Sequence, residues 1–153
     1  SWEAICSGRN GIARISCFDP SPFGSQMAGE VLDFDPTDFI DRKQVSRTAR
    51  FTQFALAATS EAMDQSGLVI DDSNRDEVGV IVGSGIGGLK VMEEAAITLA
   101  EKGPRRLSPF TVPMIMVDIA AGEIAMRFGA SGPNFGLVSA CASGAHAIGE
   151  AGE

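Results

Sequence analysis

The chain predicts an α/β fold with a largely parallel sheet, and three features of its 153 residues support this. Residues 77–82 and 134–139 are short apolar runs with the composition of strands. Residues 48–67 and 89–102 have the composition and spacing of helices. These strands and helices alternate along the chain, which is the pattern of a parallel sheet whose strands are joined by helices.

The first forty residues carry weaker signals. Residues 1–8 have the pattern of the last turns of a helix that ends at Gly8. Residues 9–25 are rich in Gly, Pro and Ser and predict a loop. A short strand is predicted over residues 27–31, and a turn or a single helical turn over residues 35–39.

The helix predicted over residues 48–67 is the clearest in the chain. Gly67 is placed to end it, because glycine accepts the left-handed conformation that closes many helices. Apolar residues at helical spacing predict one apolar face, which consists of Phe51, Phe54, Ala55, Ala58 and Ala62.

The rest of the chain continues the alternation. A glycine-rich turn over residues 83–88 separates the first strand from the helix at 89–102. Residues 103–109 form a loop, and Pro113 stands where a helix can begin. That helix is predicted to continue to residue 128. A loop over residues 129–133 then leads into the last strand.

Composition excludes several classes of protein. Hydrophobic residues make up 44% of the chain and charged residues 21%, an ordinary balance for a globular domain. The net charge of −8 argues against binding to nucleic acid, which needs a basic face. Three cysteines without CxxC spacing fit neither a disulfide framework nor a zinc site, and we expect no metal. We expect a cytoplasmic protein, or one of an organelle stroma or matrix, with no membrane span.

The glycine run between the first strand and its helix has three interpretations. Gly83, Gly85 and Gly88 match GxGxxG in the setting of a dinucleotide-binding turn. The acidic residue expected about 20 positions later is absent, since that region holds residues 107–110 (Leu-Ser-Pro-Phe). The second interpretation is a tight turn that allows close backbone packing. The third is that Ile86 is pushed into a substrate channel.

Cys141 stands where the last strand is predicted to pass into a helix. The positive end of a helix dipole stabilises a thiolate, which is the nucleophilic form of cysteine. The small residues that follow let the helix pack closely, so we expect a buried sulfur reached through a channel. The alternative is a small hydrophobic residue of the core. Cys6 and Cys17 lack this setting, and we interpret both as structural.

The single histidine and the basic residues allow further hypotheses. His146 lies five positions after Cys141, so we expect it to be a buried, hydrogen-bonded residue and not a general base. One basic cluster consists of Arg42, Lys43, Arg47 and Arg50. It is either a solvated surface or a docking patch for an acidic partner. The same alternatives hold for the second group, which consists of Lys102, Arg105 and Arg106.

Three segments, residues 82–89, 103–113 and 139–149, together resemble the type II β-ketoacyl-acyl-carrier-protein synthases. The resemblance extends over the whole chain. It implies a thiolase-like, layered αβαβα fold that works as a homodimer. Residues 1–153 would form an incomplete N-terminal half that lacks its first strand and the whole C-terminal half. The absence of an initiator Met and a helix that stops at residue 153 also predict an internal piece of a longer polypeptide.

The resemblance implies decarboxylative Claisen condensation. Cys141 would accept an acyl group from the phosphopantetheine arm of acyl carrier protein, and its backbone N–H would act as an oxyanion donor. A malonyl carrier would lose carbon dioxide and attack the thioester, in fatty-acid elongation. No cofactor is implied beyond the carrier's own arm. The matching positions are Ile86, Phe110 and Ala140 for the acyl pocket and Arg42, Lys43 and Arg47 for carrier docking.

The chain departs from this family pattern in three respects. The family's two active-site histidines and its lysine belong to the C-terminal half, so residues 1–153 alone should not decarboxylate malonyl groups. Thr111 stands where the family often has Phe, and Asp118 where it often has Asn. Two other classes stay open, a non-catalytic chain-length partner subunit of a polyketide-type synthase and a dinucleotide-binding oxidoreductase. Such partner subunits typically lack the nucleophile.

Overall fold

The computed structural model describes residues 2–152. They form two compact units that meet in sequence between Asp35 and Pro36. The first unit begins with helix α1 (Trp2–Cys6), followed by Gly8 at φ 66°, as predicted. Strands β1 (Ala13–Arg14) and β2 (Met27–Ala28) pair antiparallel. β1 lies where only loop was predicted, because a two-residue strand is defined by its partner and not by its own composition.

Glu30 closes the loop between these two strands. Its carboxylate accepts hydrogen bonds from the backbone N–H of Ser16 (2.9 Å), the Ser16 hydroxyl (2.9 Å) and the backbone N–H of Cys17 (3.1 Å). A hydrogen bond from the Cys17 side chain, followed by those from Ser16, lowers the pKa of Glu30 from 4.5 to about 2. The ionised carboxylate therefore links the residues that follow β1 to the residue that follows β2.

The second unit contains the remaining elements. Its helices are α2 (Arg42–Val45), α3 (Arg50–Ser66), α4 (Leu89–Lys102), α5 (Thr111–Ile115), α6 (Ile119–Phe128) and α7 (Ser143–Ala151). Its strands are β3 (Val80–Gly83) and β4 (Asn134–Leu137). Single 3₁₀ turns cover Pro36–Asp38, Pro104–Arg106 and Ala140–Ala142. α4 has its predicted bounds, and α3 ends at Gly67 with φ 65°.

Strands β3 and β4 pair in parallel, from Val80 opposite Asn134 to Gly83 opposite Leu137. The chain crosses from one to the other through α4, α5 and α6, so the predicted strand–helix–strand alternation is confirmed. α6 and α7 both contact the two strands, and α3 packs on α6. β3 is half-buried and begins three residues later than predicted.

The buried cluster consists of Ile40, Leu56 and Ile124. The apolar face predicted for α3 is confirmed only in part: Phe51, Phe54 and Ala55 are half-buried, and Ala55 packs against this cluster, whereas Ala58 and Ala62 are exposed. The helix instead buries Thr52, Gln53, Leu56 and Ala57. A polar residue can lie on this face because the Gln53 amide donates hydrogen bonds to the backbone carbonyls of Thr48 (2.9 Å) and Val45 (3.2 Å).

The single helix predicted from Pro113 to residue 128 is wrong. The chain leaves α5 at Met116, whose backbone is extended, and starts α6 at Ile119. The Gly88 backbone N–H donates to the Ile115 carbonyl (3.1 Å), which a continuous helix would need for its own bonding. The glycine turn therefore packs against the end of α5, at the point where the helix is broken. None of the helices within residues 2–152 has the length and apolarity needed to cross a membrane.

Candidate active site

Cys141 lies in the turn that joins β4 to α7. β4 ends at Leu137, the 3₁₀ turn Ala140–Ala142 follows, and α7 begins at Ser143. Ala140 has φ 52°, and it is the one non-glycine residue with positive φ within residues 2–152. The predicted sequence of strand, cysteine and helix is therefore present. The sulfur is not buried as expected, because Cys141 is exposed in this chain.

The backbone N–H of Cys141 is available to a ligand. The Ala142 N–H donates to the Ser139 carbonyl (3.1 Å), and the Ser143 N–H donates to the Ala140 carbonyl. In the part of the chain that the structure describes, no hydrogen bond from the Cys141 N–H is formed. A free backbone N–H in such a turn can stabilise an oxyanion.

Ser143 holds the turn together through its side chain. Its hydroxyl accepts a hydrogen bond from the Ser139 backbone N–H (2.9 Å) and donates one to the Ala140 carbonyl (2.7 Å). The residue is only 2% exposed. Sequence reasoning missed it, because its side chain does not cap α7 but binds the backbone of residues 139 and 140, which precede the helix.

The glycine turn packs directly against this cysteine turn. A Cβ atom on Gly83 would lie 2.2 Å from the Ser143 carbonyl oxygen, and one on Gly85 would lie 3.3 Å from that of Ala140. A Cβ on Gly88 would lie 2.1 Å from the Met114 carbonyl oxygen. The space beside these glycines is filled by protein backbone. This supports the close-packing interpretation over a dinucleotide-binding turn, which needs the same space for a pyrophosphate.

His146 is exposed, so the prediction of a buried histidine is wrong. α7 buries Ser143 and Ala147, which are one turn apart, and position 146 lies beside that buried stripe. The Nδ1 atom of His146 is 2.7 Å from the Ser139 hydroxyl oxygen. The histidine thus ties α7 to the end of the preceding strand segment.

The predicted pocket residues fall in two places. The glycine turn carries Ile86, whose side chain is exposed, and the neighbouring Gly85 is the residue that packs against Ala140. Phe110 is half-buried, and the Arg47 guanidinium carbon lies 4.7 Å from the centre of its ring. The structure therefore brings Phe110 together with the basic cluster. Its role in acyl binding stays a prediction.

The predicted docking residues lie on and just after α2. Asp41 caps this helix by accepting a hydrogen bond from the Gln44 N–H (2.9 Å). Arg42, Lys43 and Arg47 are exposed, and none of them forms an ion pair with another residue between 2 and 152. A cleft of about 460 Å³ lies beside them. Its lining residues are Asp41, Lys43, Gln44, Arg47, Phe110, Pro113, Ile119 and Glu123.

Titratable residues do not gather into a metal centre. Among the described residues, no three His, Cys, Asp or Glu side chains come close enough to hold an ion together. The chemistry that the arrangement offers is that of an exposed thiol at a helix start, with a free backbone donor on the same residue.

The family model and the curated relatives that match this chain are all β-ketoacyl synthases. The sequence profile described as the N-terminal domain of β-ketoacyl synthase matches residues 1–153. A 3-oxoacyl-(acyl-carrier-protein) synthase 2 from Synechocystis sp. is 48% identical over 150 residues, which are 98% of this chain and 36% of the relative. A protein of the same name from Staphylococcus aureus is 46% identical over 151 residues, again 36% of its length.

A solved β-ketoacyl synthase from Burkholderia phymatum superimposes on the chain with a TM-score of 0.75 at 27% identity. The match covers 99% of this chain and 38% of that one. The chain thus has the fold of the thiolase-like synthases and spans little more than a third of the length of its relatives.

Proposed function

Since the chain belongs to the β-ketoacyl synthase family and matches its N-terminal domain, we propose that the protein is an acyltransferase of fatty-acid elongation. Its substrates are an acyl group and a malonyl group, each carried on acyl carrier protein. Its product is a 3-oxoacyl chain that is two carbons longer. The observation that carries this proposal is the exposed Cys141 at the β4–α7 turn, in a sequence 48% identical to a 3-oxoacyl-(acyl-carrier-protein) synthase.

The first step moves the acyl group to Cys141. The thiolate sulfur attacks the thioester carbonyl, and the negative charge on the carbonyl oxygen is stabilised by the free Cys141 N–H. The carbon–sulfur bond to the phosphopantetheine arm then breaks. That arm leaves as a thiolate and takes a proton from water, while the acyl group stays on Cys141.

The second step joins two carbons to the bound acyl group. The malonyl thioester loses carbon dioxide, and the electron pair of the broken bond forms a new bond to the acyl carbon. The Cys141 thiolate leaves. We assign the stabilisation of the malonyl carbanion to groups outside residues 1–153, because the resemblance to the family implies that its two active-site histidines and its lysine belong to the C-terminal half.

The carrier binds through its acidic surface. Arg42, Lys43 and Arg47 present exposed cations that lack ion-pair partners within residues 2–152, which favours an acidic protein. The proposal includes a homodimer in the cytoplasm, or in the stroma or matrix of an organelle. The resemblance to the family supports both.

The test compares Cys141→Ala with Cys6→Ala in the full chain as the gene encodes it. Both cysteines are exposed, so the second variant controls for loss of an accessible thiol. Removing the nucleophile is expected to lower acyl transfer at least about a thousandfold, while Cys6→Ala changes it less than about twofold. Mass spectrometry of the intact protein detects the acyl-enzyme. An acylated Cys141→Ala protein would contradict the proposal.

A further inference from the structure

We propose that Ser143 is a positioning residue for Cys141. Its hydroxyl holds the Ala140 backbone at positive φ and thereby fixes the direction in which the next residue, Cys141, presents its sulfur and its N–H. This inference rests on the proposed function, because it takes Cys141 as the nucleophile. Ser143 itself touches no reacting atom and acts only through the turn.

The hydrogen bonds of Ser143 span the cysteine turn. One side-chain oxygen joins the Ser139 N–H (2.9 Å) and the Ala140 carbonyl (2.7 Å), so it bridges the two residues that precede Cys141. The Ala140 carbonyl receives a second bond from the Ser143 N–H. Cys141 thus lies between Ser143 and the two residues, Ser139 and Ala140, that Ser143 binds.

The conformation of Ala140 explains why the turn needs this support. A positive φ of 52° brings the Cβ of an L-residue close to its own backbone, so a free alanine favours other conformations. Without the hydroxyl, the Ser139 N–H loses its hydrogen-bond acceptor. The Ala140 carbonyl loses one of the two hydrogen bonds that it accepts. The backbone before Cys141 is then free to relax, and the thiol moves with it.

Ser143 can serve as an anchor because its own backbone is held by the sheet. A Cβ on Gly83, the last residue of β3, would lie 2.2 Å from the Ser143 carbonyl oxygen, so the two backbones are in direct contact. Ser143 is 2% exposed. The Ser143 hydroxyl therefore links a backbone that is packed against β3 to Ala140, the residue with positive φ.

The experiment uses three variants of the full chain. Ser143→Thr keeps the hydroxyl, Ser143→Val has nearly the same shape without it, and Ser143→Ala removes it with no added bulk. Thr59→Val is the control outside the site. It removes a hydroxyl that also donates to a backbone carbonyl, that of Ala55, at 2.8 Å.

Loss of the hydroxyl is expected to slow acylation of Cys141 about 10- to 100-fold, the effect of a small misplacement of a reacting group. The KM for the acyl carrier is expected to change less than about threefold, since the docking surface is untouched. Ser143→Thr should keep the rate within about threefold of the native protein, and so should Thr59→Val. Single-turnover acylation and steady-state kinetics measure both quantities.

Four results would overturn the proposal, and the last of them is an unaffected Ser143→Ala variant. The first is equal acylation rates in the Thr and Val variants. The second is a loss expressed in KM alone. The third is a Ser143→Ala protein that fails to fold while Ser143→Thr folds, because the hydroxyl would then be a stability element. If the native protein does not acylate Cys141 at all, the proposed function fails, whereas native acylation with an unaffected Ser143→Ala removes only the positioning role.

Discussion

Ala140 and its neighbours show how single residues shape the cysteine turn. A left-handed conformation costs an L-residue about 1–2 kcal/mol. Ala140 adopts it directly before the exposed Cys141, and Ser143 forms the hydrogen bonds that keep it there. Local strain supported by its surroundings is a feature of functional sites. The position of Cys141 is therefore set by the residues on either side of it.

Position 83 requires glycine because the backbone of the cysteine turn lies directly against it. In Gly83→Ala the new Cβ would lie 2.2 Å from the Ser143 carbonyl oxygen, so β3 and α7 must move apart. We expect the free energy of unfolding to fall by about 2–4 kcal/mol. Gly122→Ala is the control, because position 122 lies inside α6 with open space around it. It should raise stability by about 0.5–1 kcal/mol.

Urea unfolding of the two glycine variants in the full chain measures the difference. Equal stabilities of Gly83→Ala and Gly122→Ala would contradict the close contact between β3 and the start of α7.

At the scale of an element, the β1–β2 hairpin depends on the charge of Glu30. Protonation of this carboxylate occurs near its ordinary value of 4.5 in the unfolded chain and only near 2 in the folded one, because the Cys17 side chain and Ser16 donate to the charged form and lower its pKa. The resulting stabilisation is present above about pH 4.5. It is lost as the pH falls from about 4.5 towards about 2.

The corresponding prediction concerns backbone amide exchange. The Ser16 and Cys17 amides are expected to be protected at pH 5 and to lose that protection as the pH approaches 2. In Glu30→Gln their protection should be lower and nearly independent of pH, since a neutral amide is a weaker acceptor than a carboxylate. Asp33→Asn is the control in the same unit. Native-like protection in Glu30→Gln would contradict the role of the Glu30 charge in holding the Ser16 and Cys17 amides.

Helix α3 depends on a buried polar side chain. Gln53→Ala removes the amide that donates to the carbonyls of Thr48 and Val45. We expect a loss of about 1–3 kcal/mol in the free energy of unfolding, the cost of unpaired buried polar groups. Gln65→Ala, at an exposed position of the same helix, should change stability by less than about 0.5 kcal/mol. Thermal unfolding compares them, and equal shifts would contradict the burial of Gln53.

At the scale of the whole molecule, the described residues bury few large side chains. The largest fully buried side chains among them are those of Leu56 and Thr52. Many large apolar side chains are exposed, among them Trp2 (74%), Met126 (70%) and Ile148 (77%). Extensive exposed apolar surface indicates contacts with further protein. The chain spans 36% of the length of its relatives, and their remaining length can supply such contacts.

The 153 residues expressed alone are therefore expected to bind a hydrophobic dye and to associate as their concentration rises. They should also lack condensation activity, because malonyl decarboxylation is assigned to groups outside them. Dye fluorescence, light scattering and a condensation assay test this against the full chain. A monomer of residues 1–153 that forms a 3-oxoacyl product would contradict the assignment.

The α/β class, the bounds of α4 and the place of Cys141 between strand and helix follow from neighbouring residues in the sequence. Helical spacing, glycine ends and apolar runs are local signals, so they can be recognised without a structure. The predicted relationship to the ketoacyl synthases is confirmed over residues 1–153 for the same reason, since its motifs are short and contiguous.

The buried side of α3, the break between α5 and α6, and the meeting of Phe110 with Arg47 required the folded chain. Each depends on residues far apart in sequence. The Gly88 N–H donates to the carbonyl of Ile115 at the end of α5, and the backbone of Gly83 contacts that of Ser143. Packing partners override local propensity at such positions, because the free energy of a close contact or a buried hydrogen bond exceeds the small preferences that spacing reveals.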